Sequence, residues 1–370
     1  MSISFNIQNA KFSDLLLLMA DHEASDLHLQ IHSPPILRIL GSLIRLDSPP
    51  LDNDKMEMFL KEILTDDEYH HFHNTGDLDV AVGVPGKGRV RINVFRQRGN
   101  TSLAARLVKS NIPTFEELNL PEILGNIADY NSGFVIVAGP TGSGKSTSLA
   151  AMIEHVNSMR DCHILTIEDP IEYLYANKKA YISQREVGID VSTFARALKY
   201  AMREDPDIML IGEMRDSETI EFGLAAAETG HLVFGTLHSS NASQTFGRVL
   251  DFFKADEQDM IRQGLYFNLR AIICQKLLPT VDGKGRVPAL EILINNSTVR
   301  ELIQKKQDIK LPNAIMAGVN IGMQDFNSSL ASLYHKGLIT KDMALHVSSK
   351  PEALEMKLKG ISLDDERAIF

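Results

Sequence analysis

Gly139-Pro140-Thr141-Gly142-Ser143-Gly144-Lys145-Ser146 directly follows the apolar run Phe134 to Ala138 and opens a helix-compatible stretch that runs to Met159. It is a complete GxxxxGK[ST] in the strand, loop and helix setting that this motif requires. The glycines let backbone N–H groups turn inward around phosphate oxygens, and the helix N-terminus adds partial positive charge. Lys145 is placed for the β and γ phosphates and Ser146 for a magnesium ion. A mere glycine-rich turn would need neither the lysine nor the serine. The stretch therefore predicts a site for ATP and Mg2+.

Outward from the loop, short apolar runs alternate with helical ones: His163 to Ile167, Phe194 to Met202, Ile208 to Ile211 and Leu232 to Leu237. That alternation predicts an α/β domain with a parallel sheet and helices on its faces. In such open sheets ligands bind at the carboxyl ends of the strands. Glu213 lies just past the end of Ile208 to Ile211, placed to polarise water or to reach magnesium. Glu168-Asp169-Pro170-Ile171-Glu172 likewise follows a strand, so its carboxylates are candidates for the same crevice, where two acids can divide metal binding and water activation.

With 370 residues the chain is long enough for two domains. Residues 1–110 read as a small α+β domain, with a helix over Phe12 to Met19, strands at Leu27 to Ile31 and Ile36 to Leu40, and a hairpin turning at Gly86-Lys87-Gly88 between Leu78 to Val84 and Arg89 to Phe95. Residues 111–118 are expected as a linker, within which Thr114 and Glu117 form a capping box that opens a new helix. The ATP-binding domain is assigned to residues 119–294. Residues 295–370, with helix candidates at Ala314 to Met316, Phe326 to Tyr334 and Lys341 to Val347, are assigned to a helical C-terminal subdomain.

Composition narrows the function classes. Charged residues make up 23% and the formal net charge is -10 with no long basic run, so a general nucleic-acid binder is not expected. The 2 cysteines, Cys162 and Cys274, support neither a disulfide framework nor a four-cysteine zinc site. Apolar runs are strand-length, far short of a bilayer span, and Met1 to Ala10 lacks the basic start of a secretory signal. These features predict a cytoplasmic protein.

Four stretches together resemble a known family. Gly139 to Thr147, Glu168 to Tyr173, Ile211 to Asp216 (IGEMRD) and Gly230 to His238 (GHLVFGTLH) are similar to the Walker A, Asp box, Walker B and His box of secretion ATPases. The similarity is greatest to the PilT and PilU group of pilus-retraction motors, and Ala24 to Leu29 (ASDLHL) with Arg89 to Phe95 and Arg106 extends it into the first domain. The resemblance implies a RecA-like ATPase domain behind a PAS-like first domain. It also implies Glu213 as the catalytic acid, Glu172 as a magnesium or water partner, His231 and His238 as the His box, and Arg91 and Arg106 as arginines that reach a nucleotide phosphate. A homohexamer acting at the inner membrane on a pilus platform protein, alone or beside a paralogous ATPase, is implied too. Thr298 to Lys305 (TVRELIQK) resembles the retraction element AIRNLIRE but departs from it at several positions, and Gly322 to Phe326 (GMQDF) is closer to the PilU branch. Two alternatives therefore stand beside the motor: a nucleotide-binding accessory subunit, and an ATPase of a type IV secretion system.

Overall fold

The computed structural model describes residues 3–39, 41–84 and 88–360. Its described residues form two units that part between Asn111 and Ile112, with Ile171–Ala176 and Gly188–Ser192 counted with the first.

The first unit contains α1 (Phe12–Asp21), β1 (Asp26–Gln30), β2 (Ile36–Ile39), β3 (Ser42–Arg45), α2 (Asn53–Ile63), α3 (Asp66–Thr75), β4 (Asp77–Val84), β5 (Gly88–Gln97) and β6 (Asn100–Val108). Its six strands form one antiparallel sheet in the order β3-β2-β1-β6-β5-β4. Alternation decides the faces: Val90, Ile92 and Val94 of β5 are buried, while Arg89, Arg91 and Asn93 between them are not. The buried face meets Phe12, Leu15 and Met19 of α1 and Phe59 and Phe72 of the next two helices in one hydrophobic core. Asp52 caps α2, and Thr65 with Glu68 forms a capping box on α3. Leu40 and most of the expected hairpin turn, Pro85 to Lys87, lie outside the described residues.

The second unit begins with α4 (Ile123–Ala128), β7 (Gly133–Ala138), α5 (Lys145–Met159), β8 (His163–Glu168), β9 (Tyr181–Glu186), α6 (Phe194–Ala201) and β10 (Ile208–Ile211). It continues through α7 (Ser217–Glu228), β11 (Leu232–Leu237), α8 (Ala242–Asp251), α9 (Gln258–Asn268), β12 (Leu269–Pro279) and β13 (Arg286–Ile294). The seven-stranded sheet has the order β13-β12-β7-β11-β10-β8-β9. Every residue of β7, β10 and β11 is buried, as expected of strands covered on both faces.

Two expectations need correction. The sheet is mixed rather than wholly parallel, because β13 runs antiparallel to β12. Only the short loop Thr280 to Gly285 joins them, and a parallel pair would need a crossover of a dozen or more residues. Pro288 is tolerated because β13 is an edge strand. At Thr114 the capping-box hydrogen bonds with Glu117 do form, yet they close a single turn. Asn119 follows at φ 54°, outside the helical region, and Pro121 comes two residues later.

Helices α10 (Ser297–Gln304), α11 (Leu311–Ala317), α12 (Phe326–His335), α13 (Lys341–Val347) and α14 (Pro351–Leu358) complete the second unit. They are stitched to β13 by polar bonds: Leu290 N donates to Ser329 Oγ at 3.0 Å, Gln324 Nε2 donates to the Leu290 carbonyl at 3.0 Å, and Ile292 N donates to the Gln324 carbonyl. The GMQDF segment thus has structural work, since Gln324 anchors to the sheet and Asp325 caps α12 at Ser328 N. No helix among the described residues is long and apolar enough to cross a membrane.

Candidate active site

Parallel strands bring their carboxyl ends to one edge of the sheet. In register, Ala138 pairs with Leu237, and Ile211 pairs with Gly235 on one side and Ile167 on the other. The residues that leave these ends, Gly139, His238, Glu213 and Glu168 with Asp169, therefore share one crevice.

The glycine loop is shaped by close approach. Gly139 at φ 157° has the carbonyl oxygen of Gln275 and Ser143 Oγ each 2.5 Å from where a Cβ would stand, so a side chain there is excluded. Gly144 at φ 87° caps α5, and Gln275 Nε2 lies 2.8 Å from the site of its missing Cβ. Gln275, on β12, holds the loop from below. Its Nε2 donates to the Ser143 carbonyl at 2.7 Å and its Oε1 accepts from Ser148 Oγ at 2.8 Å. Lys145 Nζ donates to the carbonyls of Gly139 and Pro140 at 2.8 and 3.2 Å, which lays the ammonium across the mouth of the loop. The buried Ser143 Oγ has no protein hydrogen-bond partner. A glycine cradle, a lysine across it and a hydroxyl on the first turn fit a nucleotide polyphosphate.

Replacing Gln275 with leucine would leave the Ser143 carbonyl and Ser148 hydroxyl unpaired in a buried place. Each such group costs about 1–3 kcal/mol. A lowered Tm in thermal unfolding, together with weaker nucleotide binding, is the expected result.

Two strands along the same edge, the Glu213 carboxylate is engaged at both oxygens. Oε2 accepts from Arg215 at 2.7 Å and Oε1 lies 3.1 Å from His238 Nε2. The Arg215 hydrogen bond, with the charges of Arg215 and His238, outweighs partial burial and holds the carboxyl below the usual glutamate range. Asp169 Oδ2 lies 3.9 Å from the other Arg215 terminal nitrogen. Glu168 is buried and accepts from Thr166 Oγ1 at 2.7 Å and from Gln184 Nε2 at 3.3 Å. A polyphosphate cradle and an acid held below its usual range, at the same edge of one sheet, are parts that phosphoryl transfer to water needs.

Of the other predicted residues in this unit, His231 is not gathered here. His231 precedes β11 whereas His238 follows it, so the two stand at opposite ends of one strand, roughly 20 Å apart at strand rise. His231 instead lies 2.9 Å from the Ala226 carbonyl and 3.1 Å from Thr229 Oγ1, securing the end of α7. Glu172 is exposed and its segment belongs to the first unit. Arg91 and Arg106 also belong to that unit, where they are direct cross-strand partners. The pairing continues through Asp26 to Arg38, so Arg91, Arg106, Asp26 and Arg38 form one row on one face of the sheet. Arg106 Nε donates to Asp26 Oδ1 at 2.7 Å while 73% of its side chain stays exposed, so the head is anchored yet presented to solvent. Burial raises the affinity of Asp26 for a proton, but hydrogen bonds from Arg106 and Ser25, with the charges of Arg106 and His28, hold it below the usual range.

Sequence reasoning missed Gln275 and Arg215. Nothing local marks Gln275, which lies 132 residues from Ser143. Arg215 stood inside the quoted IGEMRD, and its spacing from Glu213, alternate along an extended segment, was the available signal.

Comparison with known proteins gives the family. Residues 89–310 match the family model for type II/IV secretion system proteins. The type IV pilus retraction ATPase PilT of Pseudomonas aeruginosa is 43% identical over 340 residues, covering 92% of this chain and 98% of that protein. The type IV pilus ATPase PilU of the same organism is 38% identical, covering 94% and 91%. A crystal structure of the pilus retraction motor PilT with bound ADP superposes with a TM-score of 0.86 at 42% identity, covering 94% of this chain and 99% of that one.

Proposed function

The chain belongs to the PilT/PilU group of the type II/IV secretion system protein family, a lineage of ATP-binding, ATP-hydrolysing enzymes, and from that premise we propose that its hydrolysis drives type IV pilus retraction and so twitching motility. The observation that carries the reading is the strand-end crevice, where the glycine loop and Lys145 share one sheet edge with Glu213 and His238, in a chain similar to PilT over nearly its whole length.

In this reading the loop from Gly139 to Thr147 binds the phosphates and Lys145 takes the β and γ charges. Glu213 orients the attacking water and accepts its proton, with His238 steadying one carboxylate oxygen. Ser146 and Glu172 would hold Mg2+, which would supply charge neutralisation to the phosphates. Arg91 and Arg106 compensate transition-state charge on the phosphate, in a ring of six copies where each nucleotide can be met by a neighbour's arginines. His231 has a structural part only. The first unit is read as PAS-like. The ring is placed in the cytoplasm, held to the inner membrane through a pilus platform protein and able to work beside a paralogous ATPase.

A second reading, an accessory subunit that binds ATP but turns it over little, is favoured by the departures at Thr298 to Lys305 and by GMQDF at Gly322 to Phe326. Turnover by the purified chain alone separates the two. In the cell, deleting the gene should leave surface pili in place while retraction, followed on single labelled pili, stops. Retraction at the unaltered rate would exclude the motor reading, and loss of the pili themselves would point to assembly instead.

A further inference from the structure

Arg215 sits two residues beyond Glu213 on a loop whose backbone is clamped from both neighbouring strands. Gly212 N donates to the Ile167 carbonyl at 2.8 Å, the Gly212 carbonyl accepts from Thr236 Oγ1, and Met214 N donates to the Thr236 carbonyl at 3.0 Å. Gly212 lies against Glu168, where an added Cβ would stand 3.0 Å from its Cα, and Met214 fills the space over Gly235. Asp216 then caps α7, accepting from Thr219 N at 2.9 Å. With the backbone held at Gly212 and Met214 and Asp216 fixed as the cap of α7, the freedom left in this loop lies mainly in the side chains of Glu213 and Arg215.

Those two side chains restrain each other. One terminal nitrogen of Arg215 donates to Glu213 Oε2 at 2.7 Å, and the other faces Asp169 Oδ2 at 3.9 Å. Asp169 and Glu213 end adjacent strands, and two unshielded carboxylates there would repel and splay. A guanidinium is planar and presents its donors as a fork, so it can span two acids at once, whereas an ammonium is a point charge that serves one.

We propose that Arg215 is the positioning residue for Glu213, bridging it to Asp169 so that the carboxylate is held in one rotamer for the water it must orient. This rests on the reading of Glu213 as the catalytic acid. Arg215 acts through Glu213, so its loss should lower kcat and leave KM alone. A misplacement of about 1 Å at a reacting group costs up to about 10²-fold in rate.

The test is a double-mutant cycle on the full-length protein, with steady-state kinetics for active forms and single-turnover hydrolysis of radiolabelled ATP for slow ones. Arg215→Ala should lose about 10- to 100-fold in kcat with KM unchanged. Arg215→Lys should recover part of it, and adding Arg215→Ala to Glu213→Gln should change the rate by less than about twofold. Equal losses from Arg215→Ala in both backgrounds, or a raised KM at unchanged kcat, would overturn the proposal while leaving Glu213 its role. A fully active Glu213→Gln would instead remove the reading on which it rests. If Arg215→Ala does not fold, Arg215→Lys carries the same cycle, with thermal unfolding as its control.

Discussion

Arg106→Ala is expected to lower ATP turnover by about 10³- to 10⁵-fold while the protein still binds nucleotide, the range seen when an arginine that compensates transition-state charge is removed. The separation of binding from turnover follows from where the residue stands. Arg106 belongs to the first unit and the glycine loop to the second, so its loss leaves untouched the backbone donors and Lys145 that hold phosphate. Its anchoring bond to buried Asp26 takes Nε and leaves the head exposed, the end proposed to meet phosphate. If the arginine serves a neighbouring copy's nucleotide, turnover per chain should rise with concentration. Mixing Arg106→Ala with Lys145→Ala chains should then restore activity at boundaries where an intact loop meets an intact arginine. No recovery in the mixture, with full turnover from a dilute monomer of the unaltered protein, would exclude a shared site.

Glu213→Gln should slow hydrolysis by about 10²- to 10⁴-fold, the contribution typical of a positioned general base. The amide keeps the size of the carboxylate and can still accept from Arg215, so the loop and the nucleotide site should persist. Equilibrium binding of ATP should therefore be unchanged in Glu213→Gln, while Lys145→Ala should lose it. Equal weakening of binding by both substitutions would show that Glu213 is part of the phosphate cradle and not the catalytic acid.

How much of this was legible in the sequence depended on where each signal lay. Strands β7, β10 and β11 are wholly buried, so they read as largely apolar runs, and their ends locate Gly139, Glu213 and His238 without a structure. The polar edge strand β9, half exposed along Tyr181–Glu186, carries no such run. Pro288 made β13 hard to read as a strand, and only its edge position accommodates it. The capping box at Thr114 was read correctly as chemistry and wrongly as a helix, because Asn119 and Pro121 stop the chain after one turn. His231 and His238 share a motif, but the strand between them fills the whole interval, and counting strand rise from sequence would already have parted them. Gln275 needed the fold itself, since only the pairing of β12 with β7 brings it beneath the glycine loop.

The central claim is that hydrolysis by this chain, not its presence alone, drives retraction. The most direct measurement is to place Glu213→Gln at the chromosomal locus and follow single labelled pili, with the protein level checked in the same cells. The account predicts that pili still extend and stay on the surface, and that retraction events fall to the level of the deletion strain. Retraction at the unaltered frequency and speed, with Glu213→Gln present at normal abundance and inactive when purified, would contradict it.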